Sequence, residues 1–111
     1  MTLTAQSGGE VRQKLLAGLS QTDTESLNQA LMNVVVYEAD RTYAESIITM
    51  FLTHSNPQVR AVAAAAIDYL VRTHGKINKP RIVPLIEELL KDTRTMVNAQ
   101  SALTSINTLV K

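Results

Sequence analysis

Four columns of apolar residues recur along this chain at a spacing of 36 residues: Leu27, Ala63 and Ala99; Ala30, Ala66 and Ala102; Leu31, Ile67 and Leu103; Val34, Leu70 and Ile106. In each copy the four positions mark one face of an α-helix. A repeat of this length is the signature of stacked supersecondary units, because one unit cannot bury both of its faces while neighbouring copies build a continuous core. The middle copy, Ser55 to Leu70, carries five alanines between positions 61 and 66. So little side chain predicts close helix-to-helix approach at the centre of the stack.

Around these columns the chain divides into helices and turns. Met1 to Gly9 reads as a polar, flexible leader, and residues 10–111 as a single domain. The spacing of Val11, Leu15, Leu16 and Leu19 places a first helix at about 10–18, with Gly18 near its end. Asp23 or Thr24 caps a second helix that runs to about Val36. Taken alone, Val34 to Tyr37 could be a strand, but the register with Leu70 and Val71 decides for helix. Glu38 to Arg41 starts a third helix with Ala44, Ile47, Ile48, Phe51 and Leu52 inward, and Leu15 and Leu16 align with Phe51 and Leu52 at the same offset.

Asn56 caps a fourth helix at 57–73, and Pro57 suits its first position, where an N–H would be unpaired anyway. Gly75 is its left-handed stop. The linker HGKINK leads to Pro80 and a fifth helix through Ile82, Val83, Leu85, Ile86, Leu89 and Leu90, with an irregular first turn or slight kink at Pro84. Asp92-Thr93 starts a sixth, whose apolar positions are Val97, Ala99, Ala102, Leu103, Ile106 and Val110. The expected fold is all-α: a short α-solenoid of three antiparallel pairs, about 10–37, 38–74 and 79–110.

Composition agrees and narrows the function. Apolar residues make 45% of the 111 and charged residues 19%, the balance of a globular domain. The aromatic residues are Tyr37, Tyr43, Phe51 and Tyr69, so the core is aliphatic and favours packed helices over a sheet. There is no cysteine for a disulfide framework, a thiolate nucleophile or a thiolate metal site. No apolar run approaches about 18 residues, and the N-terminus lacks the basic flank and apolar core of a signal. The reading is a cytoplasmic protein with no membrane partner. A net charge of +1 gives no field to gather phosphates, so nucleic acid is not an expected partner.

Chemical machinery is thin. His54 and Ser55, with Asp40 or Asp68 as a third member, suggest a nucleophilic triad on paper, but adjacent residues at a helix end rarely reach that geometry. His74 near a helix C-terminus suits the free carbonyls there. Glu87-Glu88 is a step on an exposed face, without the histidine spacing of a metal site. No enzyme activity, metal or cofactor is expected. Arg72, Lys76, Lys79 and Arg81 form the basic cluster, without interleaved aromatics; it reads as a solvated loop that could meet an acidic partner.

The segment Asn56-Pro57-Gln58-Val59-Arg60, followed by Ala63 and Ala66-Ile67, resembles the D/N-P-x-V-R-x-x-A-x-x-A-L signature of HEAT-like repeats. Ile82 to Asp92 looks like the paired first helix of such a unit, proline included. At the third copy the Val-Arg pair is replaced by Thr95-Met96, so the Asp/Arg ladder of stacked units is not expected to extend past Arg60. A narrower resemblance rests on Asn56 to Arg60, His74-Gly75-Lys76 and Pro84 to Asp92: the chain is similar to small bacterial HEAT-type immunity proteins of contact-dependent growth inhibition. That resemblance implies a monomer that binds and neutralises one cognate toxin domain, often a nuclease, one to one. The alternative is a generic HEAT-like scaffold or adaptor in a larger assembly; a weaker third is an accessory or lyase-like protein acting on a bound cofactor.

In helix-pair stacks the second helices line one docking surface. Its outward positions are expected at Gln29, Met32, Asn33 and Val36, then Ala65, Asp68, Tyr69 and Arg72, then Ser101, Thr104, Ser105 and Thr108. Tyr69 and Arg72 are of the types enriched at binding hot spots, and Tyr37, Glu38, Asp40 and Tyr43 lie at a nearby edge turn. These seven, Asp68 included, are the expected partner-binding residues. The competing reading makes Tyr69 packing and Asp68-Arg72 an ordinary i,i+4 pair. Against a basic nuclease, Glu38, Asp40 and Asp68 would be the contacts.

Overall fold

The computed structural model describes residues 17–19 and 23–111 of the chain. Among them the fold is all-α, with five helices and no strand: α1 Thr24–Tyr37, α2 Arg41–Phe51, α3 Pro57–His74, α4 Lys79–Leu89 and α5 Met96–Leu109. Six helices were expected; the leader and nearly all of the first helix, at 10–18, lie outside the described residues. The description does reach Gly18, whose backbone packs so closely on α1 that an added Cβ would stand 3.0 Å from the Ala30 Cβ.

The helices α1 to α4 start where a side chain caps them. Asp23 accepts from the Ser26 N–H at 2.9 Å, Asp40 from Tyr43 at 3.2 Å and Asn56 from Gln58 at 2.8 Å, each satisfying a donor that the helix leaves orphaned. Glu38 therefore precedes α2 rather than starting it. Pro57 opens α3, and Gly75 closes it at φ 67, a left-handed conformation open to glycine at no steric penalty. Pro84 sits within α4, which runs unbroken from Lys79 to Leu89.

The start of the last helix is a correction. Asp92 and Thr93 do not begin it; residues 90–95 form a turn, and α5 starts at Met96. The side chains there are spent on that turn. Asp92 Oδ1 accepts from the Arg94 N–H at 2.8 Å, and the buried Thr95 hydroxyl donates back to the Leu89 carbonyl at 2.6 Å, satisfying the end of α4 instead of capping α5.

α3 packs against every other helix. α1 and α5 lie closest to it and have no substantial contact with each other, so they flank it. The short helices α2 and α4 each pack most closely on the long helix that follows. The result is a slab of 49 × 34 × 17 Å, whose thickness is near that of two helix layers, about 13–15 Å between outer Cα surfaces. All twelve residues of the four repeat columns are buried. Ala63, Ala64 and Ala66, all at 0% exposure, let α3 meet its neighbours at close range.

The short helices keep a different register. From the start of α2 at 41 to that of α4 at 79 is 38 positions, and Ala44 and Ile48 correspond at that offset to Ile82 and Ile86, all buried. At 36 the partners of Phe51 and Leu52 are the exposed Glu87 and Glu88, which is why the columns fade there. Two further expectations change. Ile47 and Phe51 are half-buried at the core's rim. Val97, expected inward, is 75% exposed, because it shares the outer stripe of α5 with Ser101, Thr104 and Thr108.

Polar bonds tie successive copies together. Asn56 Nδ2 donates to Thr24 Oγ1 at 3.0 Å, and Asn98 Nδ2 to the Ala61 carbonyl at 3.0 Å. Arg60 donates to the carbonyls of His54 and Ser55 and pairs with Asp92 at 3.1 Å, so one such ion pair does reach the last copy. Glu45, a buried carboxylate in α2, pairs with Arg41 and accepts from the Asn78 N–H at 3.3 Å.

Candidate functional site

The side chains of α3 that reach past the core meet α5 at one polar seam. Asp68 is the centre of it: the Ser101 hydroxyl of α5 donates to Oδ2 at 2.8 Å, and Arg72 Nε donates to Oδ1 at 2.9 Å. Burial raises the Asp68 carboxyl, but hydrogen bonds from Ser105, Ser101 and Arg72 and the Arg72 charge outweigh it, holding the group below its ordinary value. This corrects the expectation that Asp68 points outward. It is 9% exposed, because α5 covers the side of α3 it occupies.

Arg72 is different. Its side chain is 64% exposed, and its Nε is held by Asp68 while neither Nη group has a hydrogen-bond partner among the described residues. It lines a groove of about 530 Å³ along the outer side of α5, with Gln100, Ser101, Thr104 and Ser105 beside it and Leu90, Met96 and Val97 at the other end. The sequence reading did not place Leu90, Met96, Val97 or Gln100 in a site. For Val97 the signal existed, since it stands four positions before Ser101 on the same stripe.

The other expected residues are distributed as follows. Tyr69 is 39% exposed, and Tyr37, at the end of α1, 65%. Gln29, Val36, Thr104 and Thr108 are exposed, while Met32, Asn33, Ala65 and Ser101 are half-buried and Ser105 is buried. Glu38 and Asp40 serve their own turn: Glu38 Oε2 accepts from the Asp40 N–H at 2.9 Å, and Asp40 caps α2 at Tyr43, a half-buried residue. Asp68, Arg72 and the α5 hydroxyls thus form one cluster, and Glu38, Asp40 and Tyr43 another built around a helix start.

His54 is held as a turn residue. Its Nδ1 accepts from the Asn56 N–H at 3.0 Å, and its ring stacks on Phe51 with centroids 6.1 Å apart. Of the basic cluster, Lys76 and Arg81 are exposed and Lys79 is half-buried; Lys76 lines a second cavity of about 470 Å³ with Arg41, Asn78 and Lys111. Among the described residues no three His, Asp or Glu side chains are grouped to hold a metal ion, and no helix is long and apolar enough to cross a membrane.

Compared with protein-family models, with curated proteins and with solved structures, the chain matches none.

Proposed function

We propose that this chain is a stoichiometric protein-binding domain of HEAT-like helix pairs arranged as a short α-solenoid, and that it acts without catalysis as an immunity protein neutralising a cognate toxin domain. The observation that carries the binding part is the outer face of α1, α3 and α5. The residues expected there are uncharged apart from Asp68 and Arg72, and α5 adds a groove in which Arg72 is the only charged lining residue among the described residues. A surface of small and hydroxyl-bearing side chains around an exposed arginine and tyrosine suits an interface whose centre is dry and whose specificity rests on few anchors. The toxin-neutralising part rests on the sequence resemblance at Asn56–Arg60, His74–Lys76 and Pro84–Asp92. The form of this reading that sets Asp68 against a basic nuclease is withdrawn, because that carboxylate is spent between α3 and α5.

The test is co-expression with the C-terminal domain of a large secreted protein encoded beside this chain. Restored growth of a bacterial host, together with a one-to-one complex by size-exclusion chromatography with light scattering, is the expected result. Unrelieved toxicity with no complex overturns it.

A further inference from the structure

We propose that the groove along α5 receives a segment of the partner protein that presents an apolar side chain next to a carboxylate, with Arg72 as the carboxylate-binding residue. The inference deepens the protein-binding reading and rests on it. Three features of the groove carry it.

The first is the arginine. The carboxylate of Asp68 holds Nε, and Ser101 holds Asp68 in turn, so the guanidinium is oriented while neither Nη group has a hydrogen-bond partner among the described residues. A guanidinium held in this way presents parallel N–H donors at the spacing of a carboxylate's two oxygens, which a flexible ammonium does not. Asp68 is ionised and paired with Nε, so the pair carries no net charge, and what Arg72 offers a ligand is the N–H donors of its two Nη groups. The second feature is selectivity of position. Among the described residues every other lining residue is uncharged, so the Nη groups of Arg72 are the groove's one set of charge-assisted donors for a carboxylate's oxygens.

The third is the apolar end. Val97 stands one to two helical turns from Ser101 and Ser105, about 6–12 Å along α5, and Met96 and Leu90 line the groove with it. A leucine-sized side chain and a glutamate four positions apart on a partner helix span about 6 Å and reach both. The groove lies open along a helix face, whereas small-molecule sites enclose most of their ligand. A protein segment is therefore the occupant.

The experiment titrates the full ¹⁵N-labelled chain with a synthetic helical peptide about 12 residues long carrying two leucines and a glutamate, with its glutamine counterpart, and with octanoate. The glutamate peptide is expected to shift the backbone amides of residues 96–105 and the Arg72 Nε–H, and to bind roughly tenfold tighter than the glutamine peptide. Arg72→Gln should erase that difference and Arg72→Lys most of it, while Val97→Asp weakens both peptides; circular dichroism checks that each variant is folded. Equal binding of the two peptides, shifts confined to other residues, absence of shifts at millimolar peptide, or octanoate matching the peptide each overturns the assignment. If R72Q still binds and neutralises the neighbour-encoded toxin as wild type does, the groove assignment falls and the function stands. If the glutamate-selective site is found but no toxin is bound, the immunity reading falls.

Discussion

Single side chains in the turn after α4 close that helix and hold the turn itself. Thr95 is 1% exposed and gives its hydroxyl to the Leu89 carbonyl at 2.6 Å, and more weakly to that of Asp92 at 3.3 Å. Thr95→Val keeps the volume and removes the donor, so it should destabilise by about 1–3 kcal/mol. Thr95→Ser, which keeps the donor, should lose less; urea denaturation of the two variants measures the difference. Asp92 beside it accepts from Arg94 Nε at 3.0 Å, Arg94 Nη2 at 2.9 Å and Arg60 Nη2 at 3.1 Å. The hydrogen bonds from the Arg94 side chain and backbone, with the charges of Arg94 and Arg60 behind them, hold its carboxyl down to about 2 from an ordinary 3.8. A carboxyl whose folded value lies below its unfolded one binds more protons when unfolded, so its contribution is complete above the unfolded value. It is lost as pH falls from 3.8 towards about 2. Asp92→Asn should flatten the pH dependence of the urea midpoint across that window and leave the dependence at higher pH unchanged.

At the scale of helices, α1, α3 and α5 are readable because their buried positions repeat at one spacing, and the ends of α1 and α3 are readable because they carry ordinary capping chemistry. Asp23, Asn56, Pro57 and Gly75 behave as their residue types predict. Where side chains answer to a distant partner, the same rules mislead. Asp92 looks like a helix start, yet its oxygens serve Arg94 and Arg60. Asp68 looks like an outward residue, yet Ser101 of the next long helix claims it. The groove was half legible, as hydroxyls on an outer stripe, and its apolar end was missed with Val97. Pro84 is a helix-scale conflict of another kind. It is exposed in the interior of α4, where proline lacks the N–H that would bond the Pro80 carbonyl. Alanine there recovers up to about 3 kcal/mol of helix propensity and gives back about 0.4–1 kcal/mol through a more flexible unfolded chain. Pro84→Ala should therefore raise stability by about 1–2 kcal/mol, read as a higher urea midpoint at unchanged slope.

For the molecule as a whole, the position of α3 decides how it unfolds. Stacked repeats have stabilities built from each unit and the interfaces between neighbours, and long arrays can open piecewise. Here α3 is the one described helix that packs against all the others: α1 and α5 lie against it with no substantial contact with each other, and α2 and α4 pack against it as well as against a flanking helix. Its column residues Ala63, Ala66, Ile67 and Leu70 are all at 0% exposure, so their burial depends on the helices packed around α3. Ile67→Ala should accordingly lower stability by about 2–5 kcal/mol through lost burial and the cavity left behind. It should do so for all the described helices together. Far-UV circular dichroism, which reports every helix, and the fluorescence of Tyr37, Tyr43 and Tyr69, which reports α1, α2 and α3, should keep coincident urea midpoints in wild type and variant alike. If α5 were an independent cap, I67A would instead split the transitions, with helix signal persisting after the tyrosine signal had gone.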